Sequence, residues 1–247
     1  MKYLLVLIFS FSIAQAIITI VPVKLGEKPG VSGVMKGSSE KRKGNTDTTN
    51  YSGGLRVQYD NNLSYAVWTD FSGSYGEANG EENTNKTNAH ARLIHKLYEK
   101  NLNWEVFVQS ETNKFTNIDE KYLSGGGLRY DFFDEDYGDL YFGLGGFYER
   151  INYTTTIDPS ESNARMNSYI AYTLKFGDDA ELAYVGYYQP KFEEFSDYII
   201  SNAFGLKIHV YKELFLSFIM YYDVDSKPAI GVKKYDYTQK TSFVWEF

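Results

Sequence analysis

Cysteine is absent from the 247 residues, and proline occurs only five times. The missing thiol excludes a disulfide framework, a cysteine-ligated metal and a lipid anchor on an N-terminal cysteine. Beyond the first two dozen residues no apolar run is long enough for a membrane helix. If the chain lies in a membrane it must therefore do so as strands, because lipid tolerates only helices and closed barrels. Positive charge is in deficit as well: 25 Lys and Arg stand against 32 Asp and Glu, a net charge of −7. A phosphate surface needs a basic patch, so this balance argues against a nucleic-acid partner. What the chain does have is aromatic: 17 % of it, with 23 Tyr and 17 Phe, beside 23 % charged residues. That composition fits neither a helical membrane protein nor a disordered one.

The N-terminus reads as an export signal. Lys2 precedes an apolar run from Tyr3 to Ile13, followed by Ala14-Gln15-Ala16, a small-x-small cleavage site. The rival reading is an uncleaved helix, since 17–23 extends the apolar stretch towards the roughly 20 residues a span needs. Ser10, Ser12, Gln15, Thr19 and Pro22 interrupt such a helix and favour cleavage after Ala16. The expected division is a signal peptide over 1–16, a short periplasmic segment over 17–30 and a barrel over 31–247. Whether 17–29 folds into the barrel or hangs free is open at this stage.

From residue 31 onward, helical periodicity gives way to alternation. In the last segment Tyr235, Tyr237, Phe243, Trp245 and Phe247 share one parity, while Asp236, Thr238, Lys240, Ser242 and Glu246 share the other. Spacing two is the strand signal. It recurs twelve times, over 31–41, 48–59, 63–75, 86–98, 103–115, 120–133, 140–153, 164–176, 181–193, 197–211, 214–224 and 235–247. Ten residues at about 3.3 Å, tilted near 45°, rise about 23 Å, close to the roughly 25 Å apolar band of an outer-membrane barrel. Tight turns at 60–62, 99–101, 177–179 and 212–213 alternate with longer polar loops expected at 76–85, 154–163 and 225–234. An even number of strands puts both termini on the periplasmic side.

Aromatics sit near both ends of the apolar parity, as in the pairs Tyr51 and Tyr59, Tyr65 and Tyr75, Tyr122 and Tyr130, and Tyr184 and Phe192. Amphipathic rings belong where headgroups begin. A soluble sandwich would bury its apolar face, and a lipocalin-type barrel has about eight strands and an apolar lumen. The predicted fold is therefore an all-β, antiparallel, up-and-down transmembrane barrel of twelve strands. Trp245 and Phe247 form the aromatic-x-aromatic ending that resembles the assembly signal of such barrels, although Ser242 stands where Gly is preferred.

At residues 44–49, Gly-Asn-Thr-Asp-Thr-Thr, the chain resembles a family of unknown function whose members are often labelled salt-induced outer-membrane proteins. The resemblance continues through Ser74-Tyr75-Gly76-Glu77, through 119–128 and through residues 231–236. It implies an outer-membrane barrel with a link to osmotic or salt stress. It transfers no ligand and no catalytic residue.

The chemistry-bearing residues fall mostly on the inward parity. Basic ones lie on even strands (Arg56, Arg92, Lys96, Arg129, Lys175, Lys207) and acidic ones on odd strands (Asp70, Glu105, Glu149, Asp223). Neighbouring antiparallel strands would then pair opposite charges. Counting from the turns sets Lys96 opposite Glu105 and Lys175 near Glu181. These charges either tune a lumen that passes ions or small solutes, or neutralise one another inside a closed barrel. Inward Trp68, Tyr141, Phe147, Phe215 and Tyr221 could occlude it.

Three histidines, His90, His95 and His209, lack a serine-nucleophile motif nearby. His95 shares the lipid-facing parity, which suggests a register shift. The glycines at 125–127 and at 143, 145 and 146 lack the Lys-Ser/Thr of a phosphate loop and read as close-packing positions. Asp134, Asp136 and Asp139 do not match a calcium loop. Lys41-Arg42-Lys43 could meet lipopolysaccharide phosphates or stand solvated. Expected partners are outer-membrane lipid and lipopolysaccharide, the barrel-assembly machinery, and small solutes or ions. No cofactor is expected. A lipid-modifying enzyme and a loop-mediated surface binder remain as alternatives.

Overall fold

The computed structural model describes Val23, residues 25–26, 28–43, 47–97, 101–135, 137–177 and 179–246. Ala14, Ala16, Asp136 and Phe247 lie outside the described residues. Twelve strands follow one another in chain order. They are β1 (Gly30–Arg42), β2 (Thr48–Asp60), β3 (Tyr65–Ala78), β4 (Glu81–Lys96), β5 (Leu102–Asn113) and β6 (Ile118–Glu135). The remaining six are β7 (Gly138–Tyr153), β8 (Glu161–Phe176), β9 (Ala180–Pro190), β10 (Tyr198–Tyr211), β11 (Leu214–Asp225) and β12 (Tyr235–Glu246). Each pairs antiparallel with its neighbours, and β12 closes on β1. Closure leaves no sheet edge, the condition for strands to stand in lipid. Among the described residues no helix is long and apolar enough to cross a membrane.

The alternation read from the sequence is the alternation of the wall. Leu55, Phe71, Val106, Val108, Leu128, Leu144, Ile170 and Phe243 are all exposed on the outside. Tyrosines ring that apolar belt: Tyr51, Tyr75, Tyr122, Tyr148 and Tyr222 at the end away from the termini, Tyr59, Tyr130 and Tyr211 at the terminal end. His95 belongs to the terminal ring. It stacks between Tyr65 (centroids 6.3 Å apart) and Trp104 (5.6 Å). No register shift occurs there; the irregularity of the β3–β4 ladder lies at Gly76/Glu77. A half-apolar ring among aromatics at a headgroup boundary accounts for a histidine on this face.

One expected loop is ladder instead, and a second is shorter than expected. The segment 76–85 is a hairpin that turns on Asn79 and Gly80, both at positive φ. Asn-Gly is the strongest two-residue hairpin signal, because both positions of such a turn need φ > 0. The 154–163 loop also shrinks, since β8 already starts at Glu161. By contrast 225–234 remains a connection, pinned where the Asp225 amide donates to the Lys234 carbonyl at 2.8 Å. The closing ladder is short. Among the described residues four pairs, Val34–Glu246 to Gly37–Phe243, join β1 to β12, against thirteen between β1 and β2.

Candidate functional site

The lumen is unevenly filled. Along β4–β8 the inward side chains reach across and meet. Trp68 of β3 is buried between two guanidinium groups, Arg56 at 6.0 Å and Arg92 at 5.8 Å from its ring centroid. Arg92 also covers Phe107 at 5.0 Å and pairs with Glu105 at 3.5 Å. The Tyr169 hydroxyl of β8 donates across the lumen to Glu105 of β5, at 3.1 Å. Tyr141, Tyr169, Ala171, Val185, Tyr187 and Ala203 form an apolar cluster beside this contact. The glycines make room for it. Gly143 faces Tyr169 directly in the ladder, and a Cβ there would fall within the Tyr169 ring. Gly125 stands opposite Phe147, and Gly127 opposite Gly145, where a Cβ would meet backbone. Aromatic rings laid over cross-strand glycines are a recognised way to fill a curved sheet.

Towards the end away from the termini, a chain of ion pairs closes the same half. Glu149, fully buried, accepts from Arg165 at 2.6 Å and lies 3.4 Å from Lys121. Arg165 continues to Asp197 at 3.0 Å, and Asp197 to Lys191 at 2.7 Å. Asp197 belongs to the β9–β10 connection, so that connection folds inward over the filled wall. Its outer tip carries a separate contact. Lys227 at 2.6 Å and Ser196 at 2.9 Å both donate to Glu194, and they hold its carboxyl below the usual range.

The opposite wall, β9–β12 with β1–β3, is lined by short side chains and leaves space. A cavity of about 340 Å³ is bounded by Val34, Ala183, Ala203, Gly205, Ser217 and Tyr221 together with Lys36, Arg56, Lys207, Asp70, Glu181 and Glu246. Its charges are largely matched. Arg56 grips Asp70 through two nitrogens, at 2.6 and 2.9 Å. Lys207 reaches Glu246 at 2.8 Å and Glu181 at 3.5 Å. A second cavity of about 140 Å³ shares Lys36, Gly54, Ser72, Ile219 and Tyr221 with the first, so the two lie end to end along the lumen.

At the terminal mouth the chain preceding β1 enters the barrel. Val23 is buried against Ala66, Trp68 and Ile94, with Leu25 beside it. Arg129 donates to the Val23 carbonyl at 2.8 Å, the Gly26 amide to Asp60, and Lys28 to Glu246 at 2.7 Å. The described part of 17–30 is thus a seated segment that covers the β2–β6 sector of the mouth.

Most of the sequence-predicted charges lie where alternation put them, but one pairing differs. Lys96 faces Asn103, not Glu105, and is exposed at the mouth. The hairpin closes with the Leu97 amide on the Leu102 carbonyl, which moves every partner by two positions and sets Glu105 opposite Ile94, where Arg92 reaches it diagonally. Lys175 does stand opposite Glu181. Arg129 pairs with Asp131 of its own strand at 3.0 Å and covers Tyr141 at 4.3 Å. Asp223 is buried near the end away from the termini. Sequence reasoning missed Lys36, Lys86, Lys121, Arg165 and Lys240. All five share the inward parity of their strands, Lys121 with Arg129 on β6, and could have been found there.

Each histidine is held by a group other than a nucleophile. His90 contacts Gln109 at 3.1 Å and stacks on Phe107, and His209 contacts the Lys212 carbonyl at 2.7 Å. No group of three metal-ligating side chains exists among the described residues.

A closed antiparallel barrel with a lipid-facing apolar belt and a charged lumen defines the class: this is a twelve-stranded barrel of the outer-membrane type. The chain belongs to the family described as "Protein of unknown function, DUF481", whose model matches residues 38–247. Among solved structures it is similar to an outer-membrane channel from Pseudomonas putida F1, at 12 % identity and a TM-score of 0.57, over 93 % of this chain and 100 % of that one. It is also similar to the NanC porin, at 11 % identity and a TM-score of 0.53, over 87 % of this chain and 98 % of that one. At such identities the likeness is one of fold. No curated protein matches the sequence significantly.

Proposed function

We propose that this chain is a bacterial outer-membrane channel of narrow bore, passing ions or small solutes along the short-side-chain wall of its lumen. The observation that carries this reading is the pair of adjoining cavities, about 340 and 140 Å³, beside a wall that is otherwise packed shut. A merely structural barrel has no need to keep one wall short while filling the other. The exposure of Lys36, a residue whose side chain faces the lumen, fits water in that space. In this reading residues 1–16 are removed on export, both termini face the periplasm, the belt meets lipid and lipopolysaccharide, and the assembly machinery reads Trp245 and Phe247. Ion flow through such a path would give the osmotic link implied by the family resemblance a physical basis.

The test is single-channel recording in a planar bilayer with the full mature chain, after heat-modifiable gel mobility shows that it is folded. Discrete steps that shrink or change selectivity on Lys207→Gln are expected. A folded barrel that stays silent at all voltages would sink the proposal. Arg92 is unsuitable for this purpose, since it is buried against Glu105, Trp68 and Phe107 and its loss would disturb packing.

A further inference from the structure

The two adjoining cavities differ in charge. In the larger one, Lys36, Arg56 and Lys207 are matched by Asp70, Glu181 and Glu246. The smaller one is lined by Lys36, Lys86 and Lys240, five serines, two threonines, glycine backbone, Ile219 and Tyr221, with no carboxylate in its wall. Carboxylates do lie behind Lys86, namely Glu111, Asp223 and Asp236. Near Lys36 the charges are Arg56, Lys207, Asp70 and Glu246, and the first two are occupied by the last two. Among the described residues Lys36 and Lys240 make no ion pair. Three lysines thus line one space near the level where the β1–β12 ladder stops, just beyond Gly37–Phe243, with Lys86 and Lys240 close enough to repel each other.

Cations held together in a confined, water-accessible site without counter-charge raise each other's energy, and an anion between them relieves it. Low-dielectric walls concentrate that field and enrich counter-ions locally by about tenfold or more. Serine hydroxyls supply neutral donors for the remaining oxygens of an oxyanion, which needs several at once. A space of about 140 Å³ accommodates a carboxylate or phosphate group with some of its water. The ladder places small residues around it. Ser38, Ser52 and Ser74 are successive partners across β1–β3, and Lys86 follows on β4.

We infer that this lumen segment is an anion-binding constriction, in which Lys36 and Lys240, supported by Lys86 and the serines, select small carboxylate- or phosphate-bearing solutes. The inference deepens the channel reading and rests on it for its role in transport, but the site itself can be tested without any current.

Two measurements on the full mature chain decide the matter. Under a tenfold KCl gradient, the reversal potential should show chloride preferred over potassium by about threefold or more. Inorganic phosphate should reduce the chloride current. Both effects should vanish in the Lys36→Gln/Lys240→Gln double variant. Currents that are cation-selective, or whose selectivity the double variant leaves unchanged, would overturn the inference while leaving the channel intact. If the folded barrel is silent, the channel reading fails and the second measurement judges the site. Because the chain has no cysteine, Ser242→Cys places a single thiol in the cavity wall. An anionic methanethiosulfonate should modify it about tenfold faster than a cationic one, relative to a free thiol, and the double lysine variant should remove the difference. Equal rates, or no reaction with either reagent, would refute the anion site.

Discussion

The two halves of this barrel share one strand alternation yet end in opposite states. On the β4–β8 side the inward positions hold Arg92, Glu105, Phe107, Phe147 and Tyr169, and glycines opposite them are overrun by their neighbours' rings and backbone. On the β10–β12 and β1–β2 side many inward positions around the cavities hold alanine, serine, glycine or lysine, and the inward glycines beside the cavities stand in open space. A Cβ at inward Gly54 would meet nothing closer than 3.6 Å, and one at inward Gly205 nothing closer than 3.8 Å. Glycine therefore means different things on the two walls: a slot for a ring on one, a missing side chain on the other. A twelve-stranded lumen is too wide for small residues to fill and too narrow for two facing rows of large ones. Filling it from one side leaves an off-centre passage.

The largest test of this contrast is a pair of glycine substitutions. Gly145→Val drives a side chain into the Gly126–Gly127 backbone and should abolish the heat-modifiable folded band, whereas Gly54→Ala should leave folded yield unchanged. Equal outcomes would mean that the walls do not differ in packing. Next in size is Glu149→Gln, which strands Lys121 and Arg165 in the filled half. Removing one member of a buried ionic network costs about 3 kcal/mol or more, to be read as a lowered urea midpoint of the refolded protein. Neutralising Lys36 on the open wall should shift that midpoint hardly at all. A smaller loss is expected from Val23→Ala, since it opens a cavity against Trp68 and Ile94. About 1–2 kcal/mol should be lost if the N-terminal segment is seated, and none if it is idle. The smallest effect belongs to the loop tip. The Glu194 carboxyl is held below its usual pKa by Lys227 and Ser196, so their contact persists at neutral pH and is lost only as pH falls through that lowered value. An NMR titration of Glu194 should show the depressed midpoint, and Glu194→Gln should leave the unfolding midpoint where it was.

Much of the architecture is legible residue by residue. The parity of Leu55, Phe71 and Phe243 against Arg56, Asp70 and Ser242 announces two faces of a wall, and twelve repeats of it announce a barrel. The Asn79-Gly80 turn is a strong signal too, but the polar run around it hides the continuing ladder and makes the whole stretch read as a loop. Pairings are harder. Lys96 and Arg92 share a parity, and the hairpin closed at 97–102 sets Glu105 opposite Ile94, diagonal to both; Arg92, which lies deeper in the lumen, is the one that meets it. Lys121 is legible, since it shares the parity of Arg129 on β6; its pairing with Glu149 and, beyond it, Arg165 is not.

By itself the sequence determined the secondary structure, the strand number, which face meets lipid and which residues turn inward, because alternation is a local property with a period of two. The tertiary structure alone decided which inward residues meet. Tyr169 bonds Glu105 from three strands away, Val23 seats under Arg129, and Lys36 and Lys240 share a cavity at the seam between the first and last strands. Those contacts depend on closure and on the summed stagger of twelve ladders, which no local pattern encodes.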